Sequence, residues 1–128
     1  MAEQGKVALV TGATGTIGPV LVRDLLKKGY RVRVLLRSPP PSGILPSSAQ
    51  PILGDITDFQ AVAKAVSGVD HIFHLAAKLH TSNASASERS ECERVNVEGT
   101  QCITDVAKET EVSRLVFFST ISVYGACR

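Results

Sequence analysis

Lys6-Val7-Ala8-Leu9-Val10-Thr11-Gly12-Ala13-Thr14-Gly15-Thr16-Ile17-Gly18 is the stretch on which the fold turns. Lys6 to Thr11 is a short apolar run that ends in glycine, which reads as a strand buried on both faces of a parallel sheet. Ile17, Val20, Leu21, Leu25 and Leu26 then recur at helical spacing. Pro19 falls in the first helical turn, where amide protons have no partner inside the helix, and Gly29 is a natural stop. Within the loop the glycines stand three apart. Gly12 permits the tight turn, Gly15 lets backbone approach a pyrophosphate, and Gly18 lets helix and strand pack closely. The helix that follows would point free amide protons at the phosphates. Three glycines alone are a weak signal. A strand before and a helix after them supply the context that a dinucleotide-binding loop requires.

Outward from this unit the pattern repeats. Arg31 to Arg37 reads as a second strand. Ser38 to Pro51 holds five prolines and four serines and reads as a loop, followed by a short third strand at Ile52-Leu53. Asp58 can cap a helix carrying Phe59, Val62, Ala63 and Val66, which Gly68 ends. His71 to Leu75 is a fourth strand. A polar loop over Thr81 to Ser87 leads to Ser85 and Glu88 at capping-box spacing. Cys92, Val95, Gly99, Cys102, Ile103 and Val106 mark the buried stripe of a long helix, and Arg114 to Ser119 is a fifth strand. Alternating strands and helices predict an α/β fold: a doubly wound parallel sheet with right-handed crossovers and helices on both faces. The expected strand order is 3-2-1-4-5, in one domain over residues 1–128.

Composition narrows the function. A net charge of +2 is too small to argue for nucleic acid or an acidic membrane surface. No apolar run reaches the roughly 18 residues of a membrane span, and no signal-peptide pattern opens the chain. Cys92, Cys102 and Cys127 lack metal-ligand spacing and read as reduced thiols in a cytoplasm, so no metal is expected. Asn83-Ala84-Ser85 matches a glycosylation acceptor, but so short a match is usually chance.

The end of the second strand bears on cofactor choice. Sites specific for NAD place a carboxylate there for the ribose hydroxyls, whereas this chain has Leu36 and Arg37. An Arg can make charge-assisted bonds to a 2′-phosphate, so NADP is expected over NAD. The other reading is that Arg37 is a solvated rim charge and NAD is held without the carboxylate. Arg31 and Arg33, at the far end of the strand, read as rim charges.

Five motifs in order resemble the extended short-chain dehydrogenases/reductases, the epimerase/dehydratase kind with a Rossmann domain. They are Thr11-Gly12-Ala13-Thr14-Gly15-Thr16-Ile17-Gly18, Gly54-Asp55-Ile56-Thr57-Asp58, His74-Leu75-Ala76-Ala77, Asn96-Val97-Glu98-Gly99-Thr100 and Phe118-Ser119-Thr120-Ile121-Ser122-Val123-Tyr124-Gly125. Together they span essentially the whole chain. The resemblance implies a cofactor-binding set of Gly12, Thr14, Gly15, Thr16, Ile17, Gly18, Arg37, Asp55, Ile56, Leu75, Ala76, Ala77 and Asn96. It puts Asp55 and Ile56 beside the adenine, and Ala76 and Ala77 along the phosphates and nicotinamide ribose. Asn96 would brace the active-site end of the sheet, and Thr120 matches the catalytic Ser/Thr that hydrogen-bonds the substrate oxygen. Each also has a structural reading. Asp55 could cap a helix, Asn96 could be a buried amide satisfied by backbone, and Ser119, Thr120 and Ser122 could be strand-end hydroxyls. His74 reads as a packed strand histidine.

The family's base is a Tyr-x-x-x-Lys pair on a later helix, and the sequence contains none. Tyr124 and Arg128 have the spacing, but Tyr124 belongs to the strand-end element, and Arg cannot stand in for Lys there. The expectation is therefore an incomplete Rossmann domain, ending before a sixth strand and a substrate region, that binds dinucleotide without turnover. Leu115-Val116-Phe117-Phe118 would then form an apolar open edge, predicting a homodimer or other self-association there or through the long helix. The parent enzyme would act by hydride transfer on a nucleotide-sugar or a small ketone, including steroid-like and flavonoid-like ketones. The second strand's end leans to the reductase-like branch. The alternatives are a non-catalytic dinucleotide-binding sensor and an α/β scaffold with a vestigial loop.

Overall fold

The computed structural model describes residues 4–78 and 83–120. Five parallel strands form one sheet in the order β3-β2-β1-β4-β5, as the alternation predicts. They are β1 (Val7–Thr11), β2 (Arg31–Leu36), β3 (Gln50–Leu53), β4 (His71–His74) and β5 (Arg114–Phe117). Strand β1 is central and buried throughout, with β2 on one side and β4 on the other.

The two-residue period of β1 sends alternate side chains into two separate cores. Leu9 joins Leu35, Ile72, Val62 and Ile103 on one face; Val10 joins Val32, Val34, Val22 and Leu25 on the other. The first core is closed by α2 (Phe59–Val66) and α4 (Gly99–Lys108), the second by α1 (Gly18–Lys27). Leu9, Ile72 and Ile103 are wholly buried, and each such side chain contributes about 1.5–3 kcal/mol as an upper bound.

The helix ends follow local chemistry. Asp58 accepts bonds from the Gln60 and Ala61 amides at 3.0 and 3.4 Å, capping α2 as expected. Ser85 and Glu88 close a reciprocal capping box at the start of α3 (Ala86–Glu93). Gly29 and Gly68 terminate α1 and α2 with φ of +94° and +74°.

Four expectations need correcting. Strand β3 begins at Gln50, inside the stretch read as loop; Pro51 is tolerated because β3 lies at the edge and pairs on one side alone. The long helix is not uniform: a π-helical turn, Arg94–Glu98, joins α3 to α4. Apolar spacing hardly registers such a turn, since it inserts a single extra residue while the buried stripe continues through Val95 and Gly99. Arg33 is no rim charge. It is partly buried, and its guanidinium donates to the Ala65 and Ser67 carbonyls, neutralising the C-terminal end of α2. Strands β4 and β5 stop at His74 and Phe117, so Leu75, Phe118 and Ser119 lie just past the ladder.

Candidate dinucleotide site

The strand order reverses between β1 and β4, and the crevice at their carboxyl ends is where ligands of open α/β sheets bind. Two adjoining clefts occupy it. One, of about 340 Å³, runs between Thr11, Gly12, Thr14 and Gly15 and the ends of β2 and β3 at Leu36, Arg37, Gly54 and Ile56, with Val95 as floor. The other, of about 580 Å³, lies between Thr16, Ile17 and Gly18 and the residues Asn96, Thr100, Phe117, Phe118, Ser119 and Thr120. Gly12, Gly15, Leu75, Ala76 and Ala77 wall both, so the clefts form one continuous groove.

The three glycines are required for different reasons. Gly12 has φ +69°, and a Cβ there would lie 2.7 Å from the Ala76 nitrogen. At Gly18 a Cβ would collide with the Ala13 carbonyl. Gly15 differs: its φ is not left-handed, and a Cβ would meet nothing closer than the Gly12 carbonyl oxygen at 3.4 Å. The protein's own packing does not demand glycine at 15. A cradle that a Cβ would fill, opening onto both clefts, fits a ligand backed directly onto main chain. Helix α1 starts beside it with no side-chain cap, so its first amides have no side-chain partner.

The opposite wall is held by a hydrogen-bonded chain through His74. The Thr11 hydroxyl accepts the Leu75 and Ala76 amides, both at 3.1 Å, so its own proton points to His74 Nδ1 at 2.7 Å. The imidazole must then carry its proton on Nε2, which donates to the Thr100 hydroxyl at 2.9 Å. Thr100 in turn donates to the Asn96 carbonyl at 2.7 Å. Every group has its partner with His74 neutral. Burial pushes the His74 pKa down to about 4, and the residue is 1% exposed. It is the packed strand histidine that the sequence suggests. The Asn96 side chain clamps Lys78 from both sides, accepting its amide at 2.7 Å and donating to its carbonyl at 3.0 Å. Asn96 thus braces the segment after β4, and as an amide satisfied by backbone it fits both readings given above.

Beyond the ends of β2 and β3, Ile56 and Gly54 face the first cleft. Asp55 caps no helix. Its Oδ1 accepts the Thr57 amide and hydroxyl at 2.9 and 2.8 Å, and Arg94 reaches both of its oxygens at 3.2–3.3 Å. Burial raises the carboxyl pKa, but the Thr57 amide, the Arg94 guanidinium and the Thr57 hydroxyl outweigh it and hold the pKa at about 2. Oδ2 keeps capacity for a further donor beside Ile56. Arg94 also forks onto Glu91, at 2.9 Å through Nε and 2.8 Å through Nη2. Glu91 lies 3.8 Å from Arg37, whose side chain is 64% exposed at the cleft.

Most of the sequence-derived set meets in the groove: Gly12, Thr14, Gly15, Arg37, Ile56, Leu75, Ala76 and Ala77 line the first cleft, and Thr16, Ile17, Gly18, Asn96 and Thr120 the second. Asp55 does not line either cleft; it belongs to the adjoining charged cluster with Arg94. Tyr124, Ser122 and Arg128 lie outside the described residues. Lys78, Glu91, Arg94 and Thr100 escaped the sequence reading. Lys78 directly follows the Ala76-Ala77 pair and lines the first cleft. Glu91 and Arg94 had a local signal, opposite charges three apart on a helix. Among the described residues no group of three or more His, Cys, Asp or Glu could hold a metal, and no helix is long and apolar enough to cross a membrane.

A family model described as "NAD dependent epimerase/dehydratase family" matches residues 8–128. A 3-beta-hydroxysteroid dehydrogenase of Mycolicibacterium neoaurum is 39% identical over 94% of this chain and 33% of its own length. Among solved structures, a short-chain dehydrogenase/reductase superfamily protein from Agrobacterium tumefaciens with bound NAD superposes with a TM-score of 0.80. It is 33% identical over 93% of this chain and 34% of that one. MoeE5, in complex with UDP-glucose and NAD, gives a TM-score of 0.79 at 36% identity, over 96% of this chain and 39% of that one. The chain spans about a third of the length of these relatives.

Proposed function

The chain belongs to the NAD dependent epimerase/dehydratase family, and from that premise we propose that its groove binds a nicotinamide dinucleotide for hydride transfer. The carrying observation is Gly15, a glycine that internal packing does not require, facing two joined clefts beside an uncapped helix terminus. In this reading residues 12–18 hold the pyrophosphate, with Gly12, Gly15 and Gly18 clearing its path and Thr14, Thr16 and Ile17 flanking it. Ile56 packs on the adenine and Asp55 takes its amine. Leu75, Ala76 and Ala77 pass under the phosphates and the second ribose, and Asn96 keeps that wall in place. A bound nicotinamide would supply hydride-transfer chemistry, and Thr120 lines the cleft that would hold it. The Thr120 hydroxyl orients the substrate oxygen there. Arg37 is the group that would take a 2′-phosphate, which supports NADP as well as NAD.

The substrate class of the whole protein is a small ketone or alcohol, steroid-like included, or a nucleotide-sugar. The similarity to a hydroxysteroid dehydrogenase supports the former and that to MoeE5 the latter. The 128 residues contain no Tyr-x-x-x-Lys pair, and what is proposed for this stretch by itself is cofactor binding without turnover. Self-association through the exposed Phe117 end of β5 is part of the same proposal.

Fluorescence titration with NADH and NADPH tests the reading. At least one should bind with a dissociation constant below a millimolar. The Gly15→Ala variant should keep the wild-type melting temperature and lose about tenfold or more in affinity, since the added methyl meets the ligand rather than the protein. Absence of binding by either nucleotide at millimolar concentration would refute it.

A further inference from the structure

The second strand ends without the carboxylate that commonly selects NAD, yet the fold brings one to the same place. Glu91, on α3, sits 3.8 Å from Arg37 at the rim of the first cleft. That separation is an ion pair without a hydrogen bond. Glu91 is 31% exposed and cannot swing away freely, because Arg94 grips both its oxygens and is itself anchored to Asp55. Its pKa is lowered, first through the Arg94 hydrogen bond, so it stays ionised. We infer that Glu91 is a specificity-determining residue that opposes a 2′-phosphate at Arg37 and tilts the site toward NAD. The inference rests on the dinucleotide reading above.

The physical case is one of charge placement. Arg37, the cation nearest the end of β2, meets a fixed anion before any ligand arrives. A 2′-phosphate approaching Arg37 would be attracted by the guanidinium and repelled by the adjacent carboxylate. A free ribose hydroxyl is neutral and can donate to a carboxylate, so NAD escapes that repulsion. The other charges around Glu91 do not reverse this. Arg94 is shared between Glu91 and Asp55, and Lys78 acts on both Glu88 and Glu91. Arg37, Glu91, Arg94 and Asp55 sum to zero charge, and removing the Glu91 charge leaves a net cation facing the ribose.

The test compares NADH and NADPH dissociation constants for the wild-type chain and for Glu91→Gln, Arg37→Gln and the double variant, each checked for an unchanged melting curve. Glu91→Gln should shift the ratio toward NADPH by about threefold to fivefold, the scale of an exposed charge contact. Arg37→Gln should shift it the other way, and the Glu91 effect should shrink in that background. Raising salt should diminish the gain in Glu91→Gln while leaving the wild-type ratio nearly flat. If both nucleotides bind and the ratio stays within about twofold in Glu91→Gln, the inference fails and the dinucleotide reading stands. If neither binds the wild-type chain, both fall. Should Glu91→Gln loosen Arg94, Glu91→Asp is the second variant. It keeps the charge, so its ratio should stay near wild type, and a shift equal to that of Glu91→Gln would overturn the charge argument.

Discussion

Residues 12 to 18 line the two joined clefts, whereas Arg37, Asp55, Glu91 and Arg94 form a charged cluster that reaches the first of them at Arg37. The glycine loop is shaped by exclusion: Gly12 and Gly18 leave no room for a side-chain carbon. The rim is shaped by attraction among four charged side chains drawn from the residue after β2, the turn after β3, and the helix running from α3 into its π turn. Hard-core repulsion is steep and indifferent to salt, so positions 12 and 18 tolerate almost no added bulk. Partly exposed charges are graded and screened, so the rim can be retuned at little cost in stability.

The largest effect that would sharpen this contrast is at Gly12. Gly12→Ala combines a left-handed backbone with a 2.7 Å clash against Ala76, and should cost roughly 4 kcal/mol in urea unfolding. A loss under about 1 kcal/mol would break the steric account of the loop. Next comes His74. Its folded pKa of about 4 lies below the ordinary 6.5, so the unfolded chain protonates first on acidification. The contribution is complete above about pH 6.5, declines as pH falls, and is spent by about pH 4, a span worth about 3 kcal/mol. Unfolding measured across that range should show the slope in the wild type and a reduced slope in His74→Gln. Asp55, held at about 2, loses its contribution only between pH 3.8 and about 2.

Smaller again is Thr100→Val, which strands the His74 Nε2 proton and should cost about 1–3 kcal/mol. Smallest is Arg94→Ala at the rim. Its side chain is a third exposed, and its removal should leave the melting temperature nearly unchanged. A melting temperature that collapses in Arg94→Ala would place the rim among the structural elements and erase the distinction drawn here.

Much of the fold and loop could be read before any coordinates. The strand order, the Asp58 cap, the Ser85–Glu88 box and the Gly12–Gly18 loop all appear where the residues place them. His74 was legible as a packed histidine, though its tautomer was not. Lys78 hid because a lysine after two alanines carries no signal until the Asn96 clamp is seen. Arg33 looked like a surface charge because nothing near it in the chain announces that α2 ends against it.

By itself the sequence determined the strand–loop–helix units and the glycines between them, because strand period, helix spacing, caps and turns are settled by residues a few positions apart. Tertiary structure alone decided which distant groups meet: Glu91 with Arg37, Arg94 with Asp55, His74 between Thr11 and Thr100, and Asn96 around Lys78. Those meetings depend on how each crossover lays its helix on the sheet, and on a π turn that a near-helical apolar spacing leaves invisible. The physical reason is that a polar side chain in the sequence shows its charge but not its neighbour, and only packing brings the two within hydrogen-bond reach.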